Sequence, residues 1–271
     1  MIFIHQTKKE NRGGKLNKYI EIFKYSLKTK MAFIFDYMIS IISYVIHVFI
    51  FNELWDYILQ GKEVLGYTKQ ELIWYIIIAE FVMYTSYKSY KKISQQVKNG
   101  EIVNLLIKPI SFITYTIFDE LSIIIKASIN LIMGIVMGIC IAGPIEISAA
   151  SIFLTIISLV LSVFMNILIQ LFLGLISFYT EENQSFYLII QKIMFFAVFI
   201  PVEFYPVIVQ KILFCIPVVY AVYVPRKIFV NFETTASLML FAQQIIATFV
   251  LLGINIVMYK RGVKKINVNG G

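Results

Sequence analysis

PVEFYPVIVQKILFCIPVVYAVYVPRKIFV, residues 201–230, is apolar enough to cross a membrane, yet Pro201, Pro206, Pro217 and Pro225 interrupt it. Each proline removes a helix hydrogen bond and crowds the turn before it. How the chain leaves this stretch sets the parity of all its crossings. If the stretch spans, Lys260, Arg261, Lys264 and Lys265 end on the side opposite the basic amino-terminal region. If it dips in and returns, they share that side.

Composition puts the question in a membrane. Hydrophobic residues make up 59% of the 271-residue chain and charged residues 15%, against roughly 45–50% and about 25% in soluble domains. Mean hydropathy is +0.80. Several runs reach the roughly 20 residues needed to cross a hydrocarbon core. The sequence therefore predicts an all-α, polytopic membrane protein forming a single transmembrane domain, residues 1–271. Residues 1–17 are polar, with no apolar core before Ile20, and do not read as a cleaved leader. The two cysteines, Cys140 and Cys215, are too few for a disulfide framework and read as free thiols.

Six spans are predicted, at residues 31–59, 72–87, 110–142, 149–179, 186–200 and 238–259. Trp55 and Trp74 flank the polar loop around residues 61–70, where interfacial aromatics are expected. Leu16, Tyr19, Ile20, Phe23 and Leu27 recur at helical spacing, with Lys15, Lys18, Lys24 and Lys28 off that stripe. Residues 1–30 thus read as a basic amphipathic helix lying on membrane lipid. Lys and Arg number eight in residues 1–30, five in 88–108 and four in 260–265. On the other side they number two in 57–70, none in 141–148 and three in 201–237. The positive-inside rule then makes both termini cytoplasmic. Residues 201–237 become a re-entrant segment at the outer face, between helices five and six. Broken backbone at that depth has to be shielded by protein or line a cavity.

Much chemistry is missing. The net charge of +8 has no nucleic-acid signature beside it, so no nucleic-acid partner is expected. No G-x-x-x-x-G-K-[ST] loop is present, and no HExxH or Cys/His cluster; His5 and His47 are far apart. Glu181 and Glu182 form an EE pair, but Phe186 stands where an EExxxR intramembrane protease needs arginine. That pair reads as a solvated cytoplasmic turn, and the chain is not expected to be an enzyme.

Residues 96–111, QVKNGEIVNLLIKPIS, lie between the second and third spans, on the cytoplasmic side. As one helix they place Val97, Gly100 and Asn104 on a face, with Ile102, Leu105 and Leu106 as an apolar edge. Lys98, Glu101 and Lys108 carry charge, and Pro109 ends the helix. So short a helix is marginal alone and calls for a surface to lie on. That surface is either a protein partner or lipid headgroups.

With this stretch placed in the cytosol, the chain resembles a permease of the type-2 ABC exporter family, in its drug-export-like bacterial branch. The basic amino-terminal helix carries the likeness, with LWDYILQG (54–61), GYTKQELIWY (66–75), VKNGEIVNLLIKPIS (97–111) and FYPVIVQKILFCIPVVYAVYVP (204–225). The resemblance implies a six-helix half-transporter that pairs with a second permease, identical or homologous, and two cytosolic ABC ATPase subunits. ATP and Mg would be bound by the ATPases and no cofactor by this chain. Residues 88–110 would be the coupling segment, through Lys98, Asn99, Gly100, Glu101, Ile102, Asn104, Leu105 and Leu106, with Glu181 and Glu182 facing the same side. The cargo would be an amphipathic or hydrophobic drug, antimicrobial peptide or lipid, moved out across the cell membrane. The plain basic amino terminus makes polysaccharide a less expected cargo.

Ionisable residues inside spans are costly and often functional. Glu80 lies midway along the second span, and Asp119 and Lys126 are seven apart on the third. All three are candidates for a polar transport path. Alternatively Asp119 and Glu120 project into the cytosol while Lys126 snorkels. Gly134 and Gly138 form a GxxxG pair that lets helices approach closely, within one subunit or between two. An ion-coupled secondary transporter would show broken helices in matching positions of both halves, and only residues 201–225 are broken here. A non-transporting sensor or assembly module is the other alternative.

Overall fold

The computed structural model describes residues 11–32, 34–85, 89–180 and 183–265, and every regular element among them is helical. In chain order these are α1 (Asn11–Met31), α2 (Ile34–Leu59), α3 (Lys69–Tyr84), α4 (Ser89–Lys98), α5 (Ile102–Leu106) and α6 (Phe112–Leu121). They continue with α7 (Ile123–Ile141), α8 (Ala149–Ile176), α9 (Gln184–Phe199), α10 (Val207–Phe214), α11 (Pro217–Val230) and α12 (Thr234–Gly262).

Local chemistry explains where several of them start. A helix leaves its first amides unpaired. Thr68 and Glu71 form a reciprocal capping box at α3. The Ser111 and Ser148 hydroxyls accept from the amides of Thr114 and Ser151, opening α6 and α8. Pro217 sits in the first turn of α11, where its missing amide costs nothing.

Four stretches are long and apolar enough to cross a membrane: Met38–Leu59, Phe112–Ile141, Ala149–Ile176 and Thr234–Lys265. The expected second and fifth spans are shorter. α3 and α9 have 16 residues each, roughly 24 Å at 1.5 Å per residue. α3 makes up for its length by position, because every residue from Leu72 to Val82 is buried. The core is built around it. One apolar cluster joins its second half to α8, α9, α11 and α12. Another joins its first half to α2 and the loop that follows α2.

The loops sort to two ends. At one end Trp74 Nε1 donates to the Gly143 carbonyl (3.0 Å), Gln70 Nε2 to that of Pro144 (2.7 Å), and Lys227 Nζ to Tyr67 Oη (2.7 Å). At the other, the Phe112 and Tyr259 rings stack at 5.5 Å, and Tyr179 Oη donates to the Met258 carbonyl. α10 and α11 meet at a bend of 108°. Glu203, just before α10, pairs with Lys227 near the end of α11 at 2.8 Å, so the two ends of this segment lie together.

The structure adds three details to these expectations. The third span is one 30-residue apolar helical stretch, Phe112–Ile141, with a turn at Ser122 between α6 and α7. The Ser122 hydroxyl donates to the Asp119 carbonyl (2.8 Å) and lies 3.0 Å from Ser26 Oγ. Trp55 and Trp74 are 4% and 3% exposed and belong to the apolar cluster around α2 and α3, with Trp74 Nε1 bonded to the Gly143 carbonyl at the loop end. The amino-terminal helix does not lie on lipid alone. α1 packs on α6, with Ser26 Oγ donating to the Asp119 carbonyl (2.7 Å) and the Tyr19 ring 5.4 Å from that of Phe118.

Candidate functional site

The cytoplasmic coupling segment predicted from sequence is two helices joined by a glycine turn. α4 buries Tyr90, Ile93 and Ser94. Tyr90 stacks on Tyr187 at 4.3 Å, and Ile93 lies so close over Gly174 of α8 that a side chain there would collide with it. Gly100 then takes a φ of +72°, a left-handed conformation that glycine adopts without strain. This ends α4, so Val97, Gly100 and Asn104 do not share one helical face as expected. α5 restarts with Ile102 fully buried among Phe112, Leu171, Leu175 and Phe178, and with Leu105 and Leu106 packed against the same cluster. The expected apolar edge therefore faces this chain's own core. Lys98, Asn99, Gly100, Glu101 and Asn104 are exposed, and beside them stands Ile107, 75% exposed. Sequence reading missed Ile107 as part of this ridge. Its signal was an isoleucine just past the apolar edge, next to Lys108 and Pro109. Glu181 and Glu182 lie outside the described residues.

The candidate path residues do not converge. Glu80 is buried on α3, and its Oε1 lies 3.0 Å from His47 Nδ1 of α2. Asp119 accepts an ion pair from Lys92 of α4 at 2.9 Å. Burial opposes the charge on Lys92, but Asp119 outweighs it and holds the ammonium above its ordinary range. Asp119 and Lys126 lie on either side of the turn at Ser122, within one 30-residue apolar helical stretch. Glu120 does not project into water. It is 3% exposed, with Lys30 of α1 at 3.4 Å. Gly134 lies under the Tyr44 ring of α2. Gly138 lies against Ile77 and Trp74 of α3, where an added methyl would sit 2.7 Å from Ile77 Cδ1. Both glycines thus sit at helix contacts inside this chain.

Two functional-looking groups escaped the sequence reading. His47 was set aside for want of a second histidine, although an imidazole in the middle of an apolar span was itself a signal. Arg226 was counted only as one of the three basic residues of 201–237, and it is fully buried. It follows Pro225 in α11, lies 3.9 Å over the Tyr75 ring, and donates to the carbonyls of Ala197 and Val198 at the end of α9. Those carbonyls carry the negative end of the α9 dipole. Next to Arg226, Lys227 joins Glu203 and Tyr67, and Tyr223 Oη donates to Glu203 at 2.9 Å. A cavity of about 610 Å³ opens at this end, lined in part by Glu146, Asn231, Glu233 and Ser237. Among the described residues no group of three His, Cys, Asp or Glu side chains is placed to hold a metal, and Cys140 and Cys215 are free and exposed.

The arrangement is a membrane bundle with a firmly packed turn exposing polar groups at one end and a side-chain-pinned hairpin at the other. Compared with known proteins, residues 37–270 match the family described as ABC-2 family transporter protein. No curated protein matches the chain.

Proposed function

The chain belongs to the ABC-2 transporter family, and we propose that it is the permease half of an ATP-driven exporter with six crossings. Members of the family are membrane components without ATPase activity of their own, which work with separate ATPase subunits. In this reading α2, α3, α6–α7, α8, α9 and α12 cross the cell membrane. The α10–α11 hairpin enters and leaves at the outer face, and both termini are cytoplasmic. The ion pair between Glu203 and Lys227 supports this, because it keeps the two ends of the hairpin at one end of the bundle. Two cytosolic ATPases carry ATP and Mg, and a second permease, identical or homologous, completes the pore. The cargo is amphipathic or hydrophobic.

The observation that carries the reading is the α4–α5 turn. Ile102 and Ile93 anchor it to the core with no exposed surface to spare, while Lys98, Glu101, Asn104 and Ile107 face outward. A turn held this way transmits a push from a docked ATPase to α3 and α8 instead of absorbing it. To test this, the tagged permease is purified from native membranes and the co-eluting ATPase is identified by mass spectrometry. Glu101→Lys and Ile107→Asp should each reduce the ATPase recovered about tenfold or more, given the 2–5 kcal/mol typical of a disrupted interface charge. Leu105 is a poorer probe because it is half-buried in its own chain. Full ATPase recovery and transport in both variants would reject docking at this turn. For topology, Cys140 and Cys215 are replaced by serine and single cysteines are introduced at Glu233 or Lys264. An impermeant reagent applied to intact cells should label the first and spare the second.

A further inference from the structure

Glu80 is 2% exposed, and among the described residues its ion-pair partner is an imidazole, that of His47; its surroundings are aromatic. Glu80 and Tyr84 are four apart on α3, and Tyr44, His47 and Phe51 follow at three and four on α2, so each set shares a face. The faces meet: His47 Nδ1 lies 3.0 Å from Glu80 Oε1, and the Tyr44 and Tyr84 rings pack edge-on at 5.7 Å. Phe199 of α9 closes the third side, edge-on to His47 at 5.6 Å and stacked on Phe51 at 4.5 Å. Within this box the Glu80 side chain is 3% exposed while that of His47 is 42% exposed. The imidazole is thus the accessible member of the pair, and the carboxylate the enclosed one.

We propose that this box binds the cationic head of an amphiphilic cargo, a quaternary or protonated amine whose charge replaces His47 as the partner of Glu80. A buried carboxylate in apolar surroundings demands a counter-charge, and an organic cation supplies one without requiring hydration. The faces of Tyr44, Tyr84, Phe51 and Phe199 add cation–π attraction and apolar contact. The same features disfavour an anionic cargo, which Glu80 repels, and a sugar, which finds few hydrogen-bonding groups among these rings. The site narrows the cargo of the exporter proposed above and rests on that reading for the direction of movement.

The test measures binding alone, so it does not depend on any ATPase. Radiolabelled tetraphenylphosphonium is equilibrated with the purified full-length permease in detergent. Tetraphenylborate, of the same shape and opposite charge, is the control. Saturable binding of the cation and not of the anion is expected. Glu80→Gln should weaken it about tenfold or more, as loss of a desolvated charge partner does, whereas Glu80→Asp stays near the wild type. Phe199→Leu should weaken it several-fold, and His47→Ala should leave it unchanged or tighter. Equal binding of the anion would overturn the proposal, as would wild-type affinity in a monodisperse Glu80→Gln protein. If Glu80→Gln does not fold, undiminished binding by Phe199→Leu together with weakened binding by His47→Ala overturns it instead. That last pattern is what a purely structural tie between α2 and α3 predicts. Loss of cation binding would leave the ATPase-docking result standing, and the reverse also holds.

Discussion

The α4–α5 turn and the α10–α11 hairpin both interrupt the run of spanning helices, yet they satisfy their broken backbones differently. In the hairpin, side chains take the carbonyls at the helix ends. Tyr205 donates to Phe196, Arg226 to Ala197 and Val198, Gln210 to Glu203 and Tyr205, Tyr220 to Phe214, and Ser151 to Ile228. The α4–α5 turn closes on backbone-to-backbone bonds, such as Gly100 to Val97 at 3.1 Å and Val103 to Gly100 at 3.3 Å. Its polar side chains point away. In the topology proposed above, the difference follows from depth. Where water is excluded, each freed carbonyl needs a donor from the protein. At an aqueous edge the side chains are free of that task. One interruption is built to stay, the other to be touched.

Substitutions can break this contrast, and the largest effect belongs to Arg226. Arg226→Leu strands two buried carbonyls and should cost roughly 2–5 kcal/mol, seen as a lower thermal midpoint and loss of monodispersity in detergent. An unchanged midpoint would mean that the hairpin is not held by its side chains. Gln210→Leu frees the Tyr205 and Glu203 carbonyls in a half-buried setting, for about 1–2 kcal/mol by the same measurement. At the turn, Gly100→Ala meets open space but forces a side chain into a left-handed backbone, for about 1 kcal/mol. Gly100→Asn should cost less, since asparagine tolerates that conformation. Glu203 gives a smaller, pH-dependent effect. Burial opposes its ionisation, but the hydrogen bond and charge of Lys227, with Tyr223, outweigh burial and hold it below the usual carboxylate range. Its stabilisation is therefore complete at pH values above the unfolded carboxylate value, near 4.5, and fades as pH falls through its lowered folded value. Glu203→Gln should flatten the acid limb of a midpoint-against-pH curve. Glu101→Lys should change the midpoint least of all, within about 0.5 kcal/mol, while removing the ATPase. A large drop in stability there would show that the exposed ridge also serves the fold.

Sequence reading recovered what depends on composition and on residues near one another in the chain. The apolar runs and the proline-broken stretch appear where local chemistry put them. It failed where tertiary contact overrode local pattern. Trp55 and Trp74 stand beside a polar loop, and nothing in their spacing showed that both side chains are buried in the chain's own core. Gly100 looked like one position on a helical face, because a left-handed turn leaves no mark on periodicity. Of the site residues, Glu80 was legible as a buried acid from its place in an apolar run. Its partner His47, 33 residues away, was not, because only the packing of α2 on α3 brings them together. Arg226 misled the charge count for the same reason: the positive-inside rule weighs residues by loop and takes no account of carbonyls waiting at the end of another helix.

The burial of α3 carries an evolutionary consequence. A helix that faces lipid accepts exchanges among Leu, Ile, Val and Phe, since acyl chains conform to any of them. The eleven residues from Leu72 to Val82 face neighbours of fixed shape on every side. One of those neighbours is Gly138 of α7, against Ile77 and Trp74, while Gly134 lies under Tyr44 of α2. Substitution among relatives should therefore be slow along this short helix. It should be fast along the outward faces of α2 and α12, where Ile42, Phe49, Ile246 and Phe249 stand exposed. The slowest-changing stretch of the protein would then be the helix that neither lipid nor water reaches.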